Sequence, residues 1–339
     1  MKILVTGGTG YIGSHIVVEL LSRGDEVVII DNLSNSDITV LDRIAQITSV
    51  RPSFYKLDLC DLDGLSYIFS IHKFDVVIHL AGKKAVGESV EKPQEYYYVN
   101  LIATLNLASC MQQFEVKNLV FSSSATVYSP SKTPVDEQAN LGCTNPYGYT
   151  KLFNEQILID ICKANKSLNV AILRYFNPLG AHSSGLIGEC PIDTPNNLAP
   201  YVLAVAGRQL PYVRVFGNDY STPDGTGVRD YIHVCDLAKG HIKVIDKLLT
   251  NCGCVIYNLG TGKGYSVLEV IDAYRVATKA DIPYQFLPRR PGDIDSVYAV
   301  ADKARRELGF TAERTLLDMA KDSWKWYQYY LAHINKTKN

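Results

Sequence analysis

The sequence predicts an α/β protein, a doubly wound parallel (Rossmann) sheet carrying a smaller C-terminal lobe. Three observations predict it: short β-branched runs alternate with stretches of helical periodicity, a glycine-rich turn follows the first run directly, and after about Asn177 the pattern loosens into segments rich in Gly, Pro, Asn and Asp. The strand runs are 2–5, 27–30, 54–57, 76–80, 119–122 and 170–174. Continuous apolar runs of this kind suit a parallel sheet buried on both faces. Between them, Ile16, Val17, Leu20 and Leu21, and later Leu101, Leu105, Leu107 and Met111, recur at helical spacing. The division expected is 1–176 for the sheet domain and 177–339 for the second lobe. That lobe should be loops broken by short helices, such as one over 267–277, while 255–259 reads as a strand returning to the main sheet.

A chain of 339 residues, 47% hydrophobic, exceeds the size at which one core usually stops growing, so two unequal lobes follow. Its 34 Lys plus Arg balance 35 Asp plus Glu, which leaves no field to draw it to nucleic acid or an anionic membrane. With no apolar stretch long enough to span a bilayer and no signal peptide ahead of Lys2, a cytoplasmic address is expected. The eight cysteines form no C-x-x-C pairs and read as reduced, and no metal site is expected, since Cys252 and Cys254 lack a second pair.

Thr6-Gly7-Gly8-Thr9-Gly10-Tyr11-Ile12-Gly13 joins the first strand to a helix expected to begin near Ser14. Glycines at 7, 10 and 13 allow a tight turn, close backbone approach to a pyrophosphate and close helix packing, and the helix N-terminus adds amide donors. Asp31 ends the second run, where a carboxylate accepts from ribose hydroxyls and repels a 2′-phosphate, so NAD is favoured over NADP. Asp58 either reaches the adenine or caps a helix over 59–65.

Tyr147-Gly148-Tyr149-Thr150-Lys151 opens a helix through Phe153, Ile157 and Ile161 that puts Tyr147 and Lys151 on one face. A tyrosine serves as general base near neutrality only when its pKa is depressed, and Lys151, helped by a positively charged nicotinamide, is placed to do so. Ser122-Ser123-Ser124-Ala125-Thr126 ends the fifth run, where doubly wound sheets bind ligands, so Ser124 or Thr126 can hydrogen-bond a reacting oxygen. His79 and His233 sit in apolar runs and are read as structural.

Taken together, the glycine turn, Asp31, the serine cluster and Tyr-x-x-x-Lys resemble the extended short-chain dehydrogenase/reductases. Within them, Arg174-Tyr175-Phe176-Asn177-Pro178, Pro195-Asn196-Asn197-Leu198, Phe216-Gly217-Asn218-Asp219-Tyr220, Gly225-Thr226-Gly227-Val228-Arg229-Asp230-Tyr231-Ile232-His233-Val234 and Pro288-Arg289-Arg290-Pro291-Gly292-Asp293 resemble the UDP-galactose 4-epimerases in order and spacing, from residue 1 to about 330. The resemblance implies Tyr147, Lys151 and Ser124 as catalytic residues acting on a UDP-hexose by transient oxidation at C4′. Besides the glycines, it implies cofactor contacts from Tyr11, Ile12, Asn32, Asp58 and Leu59, then from Leu80, Ala81, Gly82, Lys84 and Asn100, and from Ser122 and Phe176. It places the substrate against Lys84, Ser124, Thr126 and Tyr147, with Asn177, Asn197, Leu198, Phe216, Arg229, Tyr231, Arg290 and Asp293 holding its UDP half. The two arginines suit a diphosphate in their own right, through paired N–H groups.

The chain departs from the family at Val99, where an asparagine is usual in Tyr96-Tyr97-Tyr98-Val99-Asn100, which puts one contact near the nicotinamide ribose in question. Val297 falls at the family's sugar-pocket gate, a tyrosine in members restricted to UDP-glucose and UDP-galactose, so acceptance of N-acetylated sugars is expected; a register one residue later would make Tyr298 the gate. The resemblance also implies a homodimer built on the helices carrying Leu101 and Phe153. Two alternatives stand beside this reading. A nucleotide-sugar dehydratase or decarboxylase shares the first oxidation, but dehydratases usually carry Thr-Asp-Glu where this chain has Ser124-Ala125-Thr126. An NAD-binding sensor or scaffold would normally have lost Tyr147 or Lys151.

Overall fold

The computed structural model describes residues 1–130, 133–190, 197–290 and 293–333. Its first half alternates strands β1 (Lys2–Thr6), β2 (Glu26–Asp31), β3 (Ser53–Lys56), β4 (Val76–His79), β5 (Asn118–Ser124) and β6 (Asn169–Tyr175) with helices α1 (Tyr11–Ser22), α2 (Val40–Thr48), α3 (Leu62–Ile71), α4 (Val86–Glu91), α5 (Pro93–Gln113) and α6 (Pro146–Ala164). The second half carries β7 (Asn177–Leu179), α7 (Leu198–Ala206), β8 (Val213–Phe216), β9 (Val228–His233), α8 (Val234–Leu248) and β10 (Cys254–Leu259). It ends with β11 (Gly264–Ser266), α9 (Val267–Thr278), β12 (Tyr284–Leu287), β13 (Ser296–Val297), α10 (Asp302–Leu308) and α11 (Leu316–His333).

Seven parallel strands form the main sheet in the order β10-β6-β5-β4-β1-β2-β3. Alternate residues of each strand face opposite sides, so Ile3 and Val5 join one core with α1, α2 and α8 while Leu4 joins another with α3, α5 and α6. Both faces are therefore covered, which is why the strands are apolar throughout. Strand order reverses between β1 and β4, and the crevice outside their carboxyl ends is where such sheets bind ligands.

The smaller lobe has its own core, with Val202, Val213, Tyr231, Ile271 and Met319 among its buried members. Strand β9 organises it: β7 and β13 pair with β9 in parallel and β11 pairs antiparallel. Asp230 pins this sheet. Its buried carboxylate accepts from the backbone of Thr261, Gly262 and Ala299.

Three local expectations are corrected. Helix α1 begins at Tyr11 rather than Ser14, because Gly10 already serves as its extended N-cap. The helix near Asp58 starts at Leu62, capped by Asp61, which accepts the Gly64 amide at 3.0 Å, so the capping reading of Asp58 fails. The second half does not hold only short helices: α8 runs 15 residues and α11 runs 18, each burying an apolar stripe. Strand β10 returns to the main sheet, as read from 255–259, and pairs with β6 at its edge. Among the described residues, no helix is long and apolar enough to cross a membrane.

Candidate active site

The glycine turn forms the floor of the crevice. Gly7 has a φ of 71°, and a Cβ there would lie 2.8 Å from the Ala81 backbone nitrogen, so only glycine fits between β1 and the loop after β4. Gly13 is pressed against the Gly7 carbonyl, where any side chain would collide. The N-terminus of α1 has no side-chain cap, which leaves the first-turn amides, those of Tyr11, Ile12 and Gly13, as free donors toward an anion. The Tyr11 side chain points elsewhere: its hydroxyl donates to the Gly180 carbonyl at 2.7 Å and ties the crevice to the second lobe. These features fit a dinucleotide.

At the tip of β2, Asp31 accepts from the Thr9 amide at 3.2 Å, the Leu33 amide at 2.9 Å and the Ser36 hydroxyl at 3.3 Å. Its carboxylate is thus fixed at the edge of the crevice, where the ribose of a dinucleotide would pass. Asn32 donates to Asp58 at 2.9 Å, and Asp58 also accepts the Cys60 amide at 2.9 Å; beside them Leu59 is buried. On the other side of β1, Leu80, Ala81 and Gly82 leave the end of β4. Asn100 braces this loop: its amide donates to the Lys83 carbonyl and the Thr150 hydroxyl, and its oxygen accepts the Lys83 amide at 2.8 Å. Both N–H donors of Asn100 are therefore taken by the protein.

Strand β5 presents its three serines differently. The Ser122 carbonyl accepts the Lys151 ammonium at 2.7 Å, Ser123 turns to the opposite face, and Ser124 accepts the Thr126 amide at 3.2 Å. Helix α6 starts at Pro146 behind the N-cap Asn145, which accepts the Gly148 amide at 2.9 Å, so Tyr147 stands in the first turn and Lys151 in the second. The Lys151 ammonium lies 6.0 Å from the centre of the Tyr147 ring.

Lys151 by itself does not shift the Tyr147 phenol; the expected depression also calls for the positive charge of a nicotinamide. Burial raises the phenol's pKa, and only a hydrogen bond with Ser124 opposes it. Lys151 itself, 7% exposed, is pulled down to about 8 by burial, against the pull of Glu155. Its shortest bond goes to the Ser122 carbonyl rather than the phenol. The Thr126 hydroxyl beside them is buried with no partner, a group left for a ligand to satisfy.

Sequence reasoning gave no role to the carboxylate beneath this group. Glu155, one turn past Lys151, accepts from Ser123 and from Arg174 at 3.0 and 2.7 Å, both residues being fully buried. Arg174 was noted only as part of a motif, and the i, i+4 spacing from Lys151 to Glu155 was the available signal. His79 is held between the hydroxyls of Thr6 and Thr104, and His233 caps α8, so both are structural.

Across the crevice, Asn177 opens β7 and is exposed, next to the buried Phe176, and it pairs in register with Tyr231 of β9. Asn197 is the N-cap of α7, and Leu198 is its first residue. Arg229 donates to Asp293 at 2.5 Å, Arg290 approaches the same carboxylate at 3.5 Å, and the Arg290 guanidinium sits 4.7 Å over the Phe216 ring. The two arginines expected to grip a diphosphate are thus brought together on one acid. Val297 is partly buried against the apolar cluster that contains Val127, Tyr128, Phe176 and Ala299, the cluster that Ala125 of the serine turn also packs against. The Tyr298 ring lies near Gly264. Lys84 approaches Glu189 at 3.5 Å. Pro195, Asn196, Pro291 and Gly292 lie outside the described residues.

A family model described as the NAD dependent epimerase/dehydratase family matches residues 3–260. The chain is 54% identical over 327 residues to a UDP-glucose 4-epimerase of Bacillus subtilis, covering 96% of each. Among solved structures it is similar to a UDP-glucose 4-epimerase of Stenotrophomonas maltophila with bound NAD and formylated UDP-arabinopyranose, at a TM-score of 0.96 and 47% identity over 98% of this chain and 99% of that one. A second, from Bifidobacterium longum in complex with NAD+ and UDP, gives a TM-score of 0.93 and 52% identity over 97% and 98%.

Proposed function

Because the chain belongs to the NAD dependent epimerase/dehydratase family, we propose that the crevice is the site of a UDP-sugar 4-epimerase. The enzyme uses NAD and interconverts UDP-glucose and UDP-galactose. The observation that carries the residue assignment is the meeting of Ser124, Tyr147 and Lys151 at the carboxyl end of β5, with an unsatisfied Thr126 hydroxyl beside them.

The glycine turn and Asp31 would hold NAD, which would supply a reversible acceptor for the hydride at C4′. The chain's own residues move the proton. Tyr147 takes it from the 4′-hydroxyl while Ser124 holds that oxygen, and Tyr147 returns it when the sugar has turned. Lys151, held on the Ser122 carbonyl, would act together with the positive charge of a bound nicotinamide to favour the ionised phenol, with the hydrogen bond from Ser124 acting in the same direction. Arg229 and Arg290 hold the diphosphate so that the sugar can rotate without leaving, and Asp293 keeps both guanidiniums aimed before the substrate arrives. Asp31 disfavours a 2′-phosphate on the cofactor.

Val297, smaller than a tyrosine at the same place, leaves room for an acetamido group at C2′, so UDP-N-acetylglucosamine and UDP-N-acetylgalactosamine belong to the substrate range as well. The functional unit in this reading is a homodimer. It is supported by exposed Tyr98, Leu105, Tyr149 and Phe153 on α5 and α6, which pack side by side. A cytoplasmic location completes the reading, supported by the buried thiols Cys110, Cys143, Cys162 and Cys235. The test is to incubate purified protein with UDP-galactose without added NAD. UDP-glucose should appear with no free NADH accumulating, and net release of NADH would overturn the mechanism.

A further inference from the structure

Glu189 has no part in the site as assigned so far, yet it sits between two residues that do. Its side chain is 16% exposed, and one oxygen, Oε1, receives the Asn197 amide at 2.7 Å and the Lys84 ammonium at 3.5 Å. These donors come from opposite sides of the crevice: Lys84 follows β4, and Asn197 opens α7 in the smaller lobe. The acid is also fixed from behind. Its backbone carbonyl accepts the buried Trp326 indole N–H at 2.9 Å, and the preceding Gly188 is pressed against that indole so closely that no side chain fits.

A second observation concerns α7. An asparagine at an N-cap ordinarily turns its oxygen onto the amides of the first turn. Asn197 makes no such bond, because its side chain is turned to Glu189. Among the described residues the first-turn amides of α7 have no side-chain acceptor, and one carboxylate oxygen holds both the N-cap asparagine and Lys84.

We propose that Glu189 is a specificity-determining anion of the substrate site, a resident competitor that holds Lys84 and Asn197 until the substrate's diphosphate displaces it. The inference rests on the UDP-sugar reading above. A diphosphate carries the charge needed to take these donors from a carboxylate, whereas an uncharged nucleoside does not. The competition loosens the grip on UDP-sugars, so product leaves readily from a site otherwise rich in donors, and it keeps both donors aligned between turnovers.

The test compares wild-type holoenzyme with Glu189→Gln, which keeps the shape and removes the charge, and with Glu189→Ala, which removes the acceptor. UDP and uridine are titrated calorimetrically into each. UDP should bind about tenfold more tightly to both variants, the size of one charge-assisted hydrogen bond regained. Uridine should bind all three proteins alike, and KM for UDP-galactose should fall with little change in kcat. UDP binding that is unchanged or weaker in both variants overturns the proposal, as does an equal gain for uridine. Wild-type protein that binds no UDP overturns the substrate reading along with it, whereas UDP binding indifferent to Glu189 overturns this inference alone.

Discussion

Replacing Lys151 by methionine should make the protein more stable while destroying its activity. Burial lowers the Lys151 pKa from its ordinary 10.5 to about 8, so holding the charge inside the folded chain at pH 7 costs about 3 kcal/mol. Methionine fills nearly the same volume without a charge, but it leaves the Ser122 carbonyl without the ammonium 2.7 Å away, a loss of about 1 kcal/mol. The net gain is about 2 kcal/mol at pH 7, or roughly 3 °C in Tm for a chain of this size. The pH dependence has a definite sign. Between pH 8 and 10.5 the unfolded lysine keeps its proton while the folded one loses it, so the unfolded state binds more protons and wild-type stability rises through this window. The variant lacks that rise, and its advantage should shrink with pH and reverse once only the lost hydrogen bond remains. Thermal melts of cofactor-stripped protein at pH 7 and pH 10, wild type beside Lys151→Met, measure both ends. A variant that melts below wild type at pH 7 would refute the burial argument.

Three further outcomes are expected. Tyr147→Phe should lower kcat by about a thousandfold or more and leave UDP affinity within about twofold, measured by steady-state assay and titration, because only the proton carrier is lost; an equal loss of UDP affinity would make Tyr147 a structural residue. Val297→Tyr should remove activity on UDP-N-acetylgalactosamine and spare UDP-galactose, and a wild type inactive on the N-acetylated sugar would end the open-pocket argument. Light scattering should give twice the chain mass at micromolar concentration, and Phe153→Glu, which puts a charge on the exposed aromatic face of α5 and α6, should halve it.

What could be read from the sequence was what local physics writes into it. The strands of the main sheet were visible because a sheet buried on both faces demands unbroken apolar runs, as in Val76 to His79 and Val170 to Tyr175. Helix starts were less legible. A start near Ser14 and a cap at Asp58 are the readings the sequence invites, but Gly10, which has no side chain to cap with, and Asp61, three residues past Asp58, take those places. The β9-centred sheet could not be seen at all: Asn177 meets Tyr231, and Val297 meets Arg229, across separations that leave no periodic trace. Glu189 was missed for the same reason. Nothing in Leu186-Ile187-Gly188-Glu189 marks an acid that gathers a lysine from one lobe and an asparagine from the other.

The place of β10 also governs how the chain can be made. The strand that covers β6 is Cys254–Leu259, and it is synthesised only after β7, α7, β8, β9 and α8. Until then a ribosome-bound chain presents the edge of β6, seven buried residues in a row, with open backbone groups along one side. Helix α8, which seals the same face against α1, is equally late. A fragment ending near Asn177 would therefore carry β6 as an exposed edge where the whole chain covers it with β10. Completion of the sheet waits for β10, whose pairing with β6 ties a segment made late in the chain to the strands made first.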